Sequence, residues 1–149
     1  DVNVSRLLED LIKDALPFHA KLKITGQIEP GIVWRCDKTL MNQLIHNLYG
    51  NAVNYNLPNG WIHIVLKRVD GGFELTMENP TPEIPSDLTE RAFDRFYRGD
   101  ASHTRRVDGL GLGLSICLEI AKLHHSTLSL IVTPQHTVLA KLTAPFERS

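Results

Sequence analysis

The chain has 149 residues, enough to bury a hydrophobic core, and reads as one domain throughout. Hydrophobic residues make up 42% and charged residues 22%, which excludes a disordered, collagen-like or coiled-coil chain. Sixteen Lys and Arg oppose 17 Asp and Glu, so no net basic field exists to hold a nucleic-acid backbone, and no apolar run approaches the roughly 18 residues of a membrane span.

The chain opens at Asp1 without Met or a signal segment, so it is expected to be a piece of something longer. Cys36 and Cys117 form no C-x-x-C pair and are expected as reduced thiols. The seven histidines are scattered. Only His124 and His125 adjoin, and neighbours on a helix point apart, so no histidine metal site is expected.

The first predicted helix is Ser5 to Ala20, with Leu7, Leu8, Leu11, Ile12 and Ala15 at helical spacing. Ser5 is its candidate N-cap, and Pro17 leaves its end open. Strands follow at Leu22 to Ile28 and, after the Pro30-Gly31 turn, at Ile32 to Arg35. Asp37 then caps a long helix to about Asn56, ended by Pro58-Asn59-Gly60. Trp61 to Val69 and Phe73 to Met77 read as a hairpin across Asp70-Gly71-Gly72. Asn79 to Gly113, broken by Pro80, Pro82 and Pro85, is predicted irregular, with at most a short helix near Leu88 to Phe93. A last helix spans Leu112 to His124, before strands near Thr127 to Val132 and Thr137 to Leu142. Three substantial helices and six strand candidates point to a two-layer α/β sandwich, with one sheet face covered by helices.

Two features carry chemistry. Asn47 and Asn51 stand four apart on the middle helix, and Gln43, Gly50 and Asn54 share their face. Asn and Gly are weak helix formers, yet their neutral amide oxygens suit a hard cation such as Mg²⁺, and Gly50 leaves a gap for a ligand. Taken alone, this helix reads equally as a solvated face. The second feature is Gly109-Leu110-Gly111-Leu112-Gly113-Leu114, which runs into an apolar helix. It is neither G-x-G-x-x-G nor a P-loop. Glycines before a helix start let backbone N–H groups approach a phosphate, although such a string also suits a loop packed on the sheet.

Together these pieces resemble the ATP-binding catalytic domain of sensor histidine kinases, in the GHKL ATPase superfamily. Asn47-Leu48-Tyr49-Gly50-Asn51-Ala52 resembles the N box. Phe93-Asp94-Arg95-Phe96-Tyr97-Arg98 resembles the F box, and Gly109 to Leu114 with Ser115-Ile116 resembles the G2 box. The resemblance implies a Bergerat-type α+β fold, a mixed sheet of about five strands covered on one face by three helices. It implies that Asn51 holds Mg²⁺ and that Asn47 acts beside it, where related ATPases keep a Glu. Tyr55 would pack near the nucleotide, and Arg98 would reach the phosphates. Gly109, Leu110, Gly111, Leu112, Gly113 and Leu114 would cradle them. Phe93 and Phe96 would anchor a lid over about Gly99 to Asp108, mobile without nucleotide.

The adenine box departs from the usual D-x-G-x-G. Glu78-Asn79-Pro80-Thr81-Pro82-Glu83-Ile84-Pro85 resembles instead the N-P-G-x-x-I-P of the metal-responsive branch, with Asn79 as adenine acceptor, Ile84 in place and Thr81 where that branch has Gly. Asn54 stands where many members carry a phosphate-binding Lys or Arg.

The implied reaction is transfer of the ATP γ-phosphoryl group to a histidine on a separate dimerisation domain, with ATP and Mg²⁺ as cofactors. A response regulator is the further partner. The implied place is the cytoplasmic part of a bacterial inner-membrane sensor kinase, without nucleic-acid or direct membrane contact. One alternative is a weakened ATP-binding regulatory domain of the same fold. Another is a protein-binding module using Phe93, Phe96 and Tyr97.

Overall fold

The computed structural model describes residues 1–15, 21–82 and 113–146. Its elements are β1 (Val2–Asn3), α1 (Val4–Ala15), β2 (Lys23–Ile28), β3 (Val33–Trp34), α2 (Lys38–Asn54), β4 (Trp61–Val69), β5 (Gly72–Pro80), α3 (Gly113–Leu123), β6 (Thr127–Val132) and β7 (Thr137–Pro145). Five strands form a mixed sheet in the order β2-β4-β5-β7-β6, and β1 pairs with β3 in a separate ribbon. Only β2 and β4 run parallel. A parallel pair needs a long crossover, and α2 supplies it.

Strand alternation sorts the sheet into two faces. Ile62, Ile64 and Leu66 of β4 and Phe73, Leu75 and Met77 of β5 are buried beneath the helices, and the residues between them are half-buried or exposed. The helices contribute Val4 and Leu8 from α1, a stripe from Met41 to Ala52 on α2, and Cys117, Ile120 and Ala121 from α3. Trp34 closes the core edge-to-face on Phe73, with ring centroids 5.1 Å apart. Its indole N–H donates to the Pro145 carbonyl at 2.9 Å. The β4–β5 hairpin turns on Asp70 and Gly71, whose φ of 74° suits glycine. This is the two-layer α+β sandwich expected: a five-stranded mixed sheet with three helices on one face.

Several local expectations need correction. Ser5 is not the cap of α1. Asn3 is, its Oδ1 accepting from the Arg6 N–H at 3.0 Å. The Ser5 hydroxyl is committed elsewhere: it donates to the Glu29 carbonyl at 2.6 Å and accepts from the Ile32 N–H at 2.9 Å. β5 runs beyond Met77 through Asn79 to Pro80, because β7 pairs with it as far as Thr137. Likewise β7 continues past Leu142 to Pro145, opposite Gly72. The rest of the predicted irregular stretch from 83, its short helix at 88–93 and the end of the first helix at 16–20 lie outside the described residues.

Candidate functional site on the second helix

Asp37 starts α2: its Oδ1 accepts from the Leu40 N–H at 3.0 Å, as an N-cap does. Met41, Leu44, Ile45, Leu48, Tyr49 and Ala52 then bury one stripe at helical spacing. That fixes the opposite stripe. Gln43 is exposed, while Asn47, Gly50, Asn51 and Asn54 are half-buried. Tyr55 closes the helix, its N–H reaching the Asn51 and Val53 carbonyls.

Helix α3 locks α2 at two points. The Asp37 N–H donates to His124 Nε2 at 3.2 Å, so the imidazole carries its proton on Nδ1, 2.8 Å from the Ile120 carbonyl. One turn past Gly113, the buried Cys117 thiol donates to the Leu44 carbonyl at 3.6 Å. Burial pushes this thiol up to about 12, against the smaller lowering by Asn47, so it stays protonated at neutral pH. Burial also pushes the Tyr49 phenol up to about 12.

Two observations mark the polar stripe as more than a wetted surface. Asn51 Nδ2 is buried without a hydrogen-bond partner among the described residues. Buried polar groups are otherwise nearly always paired. Beside it, a Cβ placed on Gly50 would meet no described atom within 4 Å. The stripe therefore combines an unsatisfied amide with open space. Helix α2 contains no Asp or Glu, and no group of three His, Cys, Asp or Glu occurs among the described residues. A neutral amide set of this kind fits Mg²⁺ that keeps its waters and shares phosphate oxygens, rather than a cation caged by protein carboxylates.

Asn79 sits near the end of β5, a strand that packs against α2, and is buried. Its Nδ2 donates to the Pro80 carbonyl at 2.9 Å. A carbonyl can only face the amide's nitrogen, so Oδ1 is left as the acceptor. Thr81 is buried just beyond it. At the start of α3, Leu114 packs against the core.

Asn47, Asn51, Asn54 and Tyr55 thus lie on or at the end of α2, Asn79 on β5, and Gly113 and Leu114 at the start of α3, and α2 packs against both of those elements. Ile84, Phe93, Phe96, Arg98, Gly109, Leu110, Gly111 and Leu112, with the expected lid, lie outside the described residues. Sequence reasoning missed Cys117 and His124 as partners of the site helix, because each contact spans 73 or 87 residues. A groove of about 480 Å³, lined by Lys23, Thr25, Trp61, His63 and Glu78, lies on the other face of the sheet, away from this constellation.

A family profile described as histidine kinase-, DNA gyrase B- and HSP90-like ATPase matches residues 36–148. The probable sensor kinase SilS of Salmonella typhimurium is 37% identical over 89 residues, covering 60% of this chain and 18% of that protein. The first curated relatives are much longer, the chain spanning 18% to 30% of their length. Among solved structures, the mycobacterial sensor histidine kinase MprB superposes with a TM-score of 0.82 at 20% identity, covering 99% of both chains. The histidine kinase ThkA, solved in complex with the response regulator TrrA, gives 0.78 at 21% identity over 97% of this chain and 41% of that one. With the profile spanning most of its length and the fold matching throughout, this chain belongs to the histidine kinase-, DNA gyrase B- and HSP90-like ATPase family.

Proposed function

We propose that this chain is the catalytic domain of a sensor histidine kinase, which binds Mg²⁺-ATP and presents the γ-phosphoryl group to a histidine on a separate dimerisation domain. The observation that carries this reading is the buried, unpartnered Asn51 amide beside the open space at Gly50.

Asn51 would hold the cation, with its amide turned so that Oδ1 faces the metal. Asn47, one turn earlier, would meet the phosphates from the position that related ATPases give to Glu. The bound cation supplies neutralisation of phosphate charge, and the protein supplies positioning, which is most of what phosphoryl transfer needs. A neutral Asn47 is a poor general base for water. That favours donation to a protein histidine over hydrolysis.

Asn79 would accept from the adenine amino group. Its Nδ2 is already engaged by the Pro80 carbonyl, so the acceptor end is preset and the bond survives the loss of the usual Asp charge. Tyr55 and Asn54 would border the nucleotide. Ile84 and Phe93 would lie against it, Arg98 would reach the phosphates, and the glycine string from Gly109 through Gly113, with Leu110, Leu112 and Leu114, would wrap them. The parent protein would place this domain in the cytoplasm, anchored by other segments at a bacterial inner membrane. None of the described helices is long and apolar enough to cross one. The phosphorylated histidine would then serve a response regulator, the class of partner seen with ThkA.

No histidine here lies in an H-E-[LIF]-[RK]-T-P context, so the acceptor must come from elsewhere. Incubation with radioactive ATP and Mg²⁺ should leave the isolated chain unlabelled. Adding the acceptor domain of the same parent should give acid-labile, alkali-stable label on that domain. Label on the isolated chain, or none on the acceptor despite nucleotide binding, would contradict the proposal.

A further inference from the structure

We propose that Pro80 is a positioning residue whose carbonyl holds the Asn79 amide one way round, so that position 79 takes an amide, rejects a carboxylate and meets a base as an acceptor alone. The consequence for the base rests on the function proposed above. The orientation of the amide and the exclusion of a carboxylate rest on the strand itself.

The last residues of β5 set up this arrangement. Alternation turns Asn79 to the same face as Phe73, Leu75 and Met77, beneath the helices, and turns Glu78 to the other. Each side chain finds a neighbour of the opposite polarity. The Glu78 carboxylate accepts from the Thr137 hydroxyl at 2.6 Å. Asn79 Nδ2 donates to the Pro80 carbonyl at 2.9 Å. Pairing with β7 fixes both, since Asn79 lies opposite Val138 and Pro80 opposite Thr137. The proline ring restrains φ at 80, and Asn79, Pro80 and Thr81 are all buried, so the carbonyl has little room to turn aside.

A free Asn amide is ambivalent, because turning it over exchanges donor for acceptor. Here that turn would set Oδ1 against the Pro80 carbonyl oxygen, two acceptors with no hydrogen between them. Oδ1 is therefore the end left for a ligand, and among the described residues it takes no hydrogen bond. It accepts from a purine bearing an exocyclic amino group and opposes one bearing an oxo group at the same place. A carboxylate at 79 would present acceptors in both directions, one of them against the carbonyl. The charge that an Asp would bring to the amino group is offset by what its second oxygen would face. The neutral residue at 79 is thus matched to its proline and is not a weakened form of the usual Asp.

Two readouts test this. In the nucleotide-free, isotopically labelled chain, a scalar coupling across the hydrogen bond should link Asn79 Nδ2 to the Pro80 carbonyl carbon. Its absence overturns the inference. Nucleotide preference is then measured by displacing a fluorescent ATP analogue in Mg²⁺. ADP should displace it about 30-fold or more effectively than inosine diphosphate, in which an oxo group replaces the amino group. Equal displacement would mean an amide that turns over freely, and overturns the inference. Asn79→Asp, shown to be folded by thermal unfolding, should bind ADP about tenfold or more weakly than the unaltered chain. Equal or tighter binding would show that the carbonyl does not exclude a carboxylate. If that variant does not fold, the coupling and the base preference of the unaltered chain decide. If the unaltered chain binds no nucleotide, the proposed function falls, and the coupling alone decides whether the carbonyl holds the amide.

Discussion

Asn51 and Asn56 stand five residues apart, one in the last turn of α2 and the other just past its end, and they are opposites. Asn56 is buried and fully engaged. Its Nδ2 donates to the Ala52 carbonyl at 3.0 Å and the Trp61 carbonyl at 2.8 Å, and its Oδ1 accepts from the Leu57 N–H at 2.8 Å. It ties the helix end to the first residue of β4. Asn51 buries its Nδ2 against nothing among the described residues. The same side chain thus does two jobs on one helix. Where the amide is satisfied it holds the fold, and where it is left unsatisfied it is available to a ligand.

The comparison breaks if the two variants behave alike. Asn51→Ala should lower Mg²⁺-dependent nucleotide affinity about 100-fold, the scale of losing a contact to a charged group. Its unfolding free energy should stay within about 0.5 kcal/mol, since no structural bond is lost. Asn56→Ala should do the reverse. It leaves buried groups without partners and should cost roughly 2–3 kcal/mol in urea unfolding, with affinity unchanged where the protein remains folded.

A smaller effect should come with alkali. Tyr49 and Cys117 both surround the middle of α2, and burial raises both acids. The folded state then holds these protons after the unfolded chain has released them. The stability associated with the neutral thiol is intact below about 9 and is lost progressively as the pH rises towards about 12. Unfolding curves at pH 8 and pH 10.5 should show the loss, and Cys117→Ser should show less of it. Equal losses in both proteins would remove the thiol from this account.

The smallest effect serves as a control remote from Asn56. His125 ends α3 with a φ of 57°, in the left-handed position of a helix stop. The Ser126 N–H reaches the Ala121 carbonyl at 2.9 Å, and the His125 N–H reaches that of Lys122 at 3.1 Å. Glycine takes this conformation without strain, so His125→Gly should add about 1 kcal/mol in the same urea assay and leave nucleotide affinity alone. A loss of stability would mean that the imidazole contributes more than its backbone strain removes.

The sequence made some of this legible and not the rest. β4 and β6 are readable to the residue, β4 through the alternation of Ile62, Ile64 and Leu66 and β6 through its β-branched and apolar run bounded by turns, and Asp37 announces α2. Ser5 looked like a cap because a hydroxyl before an apolar run usually is one. Its actual partners, Glu29 and Ile32, are distant in sequence. The prolines after Met77 argued for a loop, but pairing with β7 carries β5 to Pro80. The site followed the same division. The asparagine face was visible in four-residue spacing and motif order. Which amide atoms are satisfied depends on the Pro80 carbonyl and the burial of Asn51, and no spacing rule reaches those.

The central claim is that the α2 face takes a nucleotide through a cation. Its most direct measurement is the affinity of the unaltered chain for a fluorescent ATP analogue, with Mg²⁺ and with Mg²⁺ chelated. Saturable binding that tightens with Mg²⁺, with that gain absent in folded Asn51→Ala, is the result expected. Binding indifferent to Mg²⁺, or a Mg²⁺ effect that survives in Asn51→Ala, would contradict it.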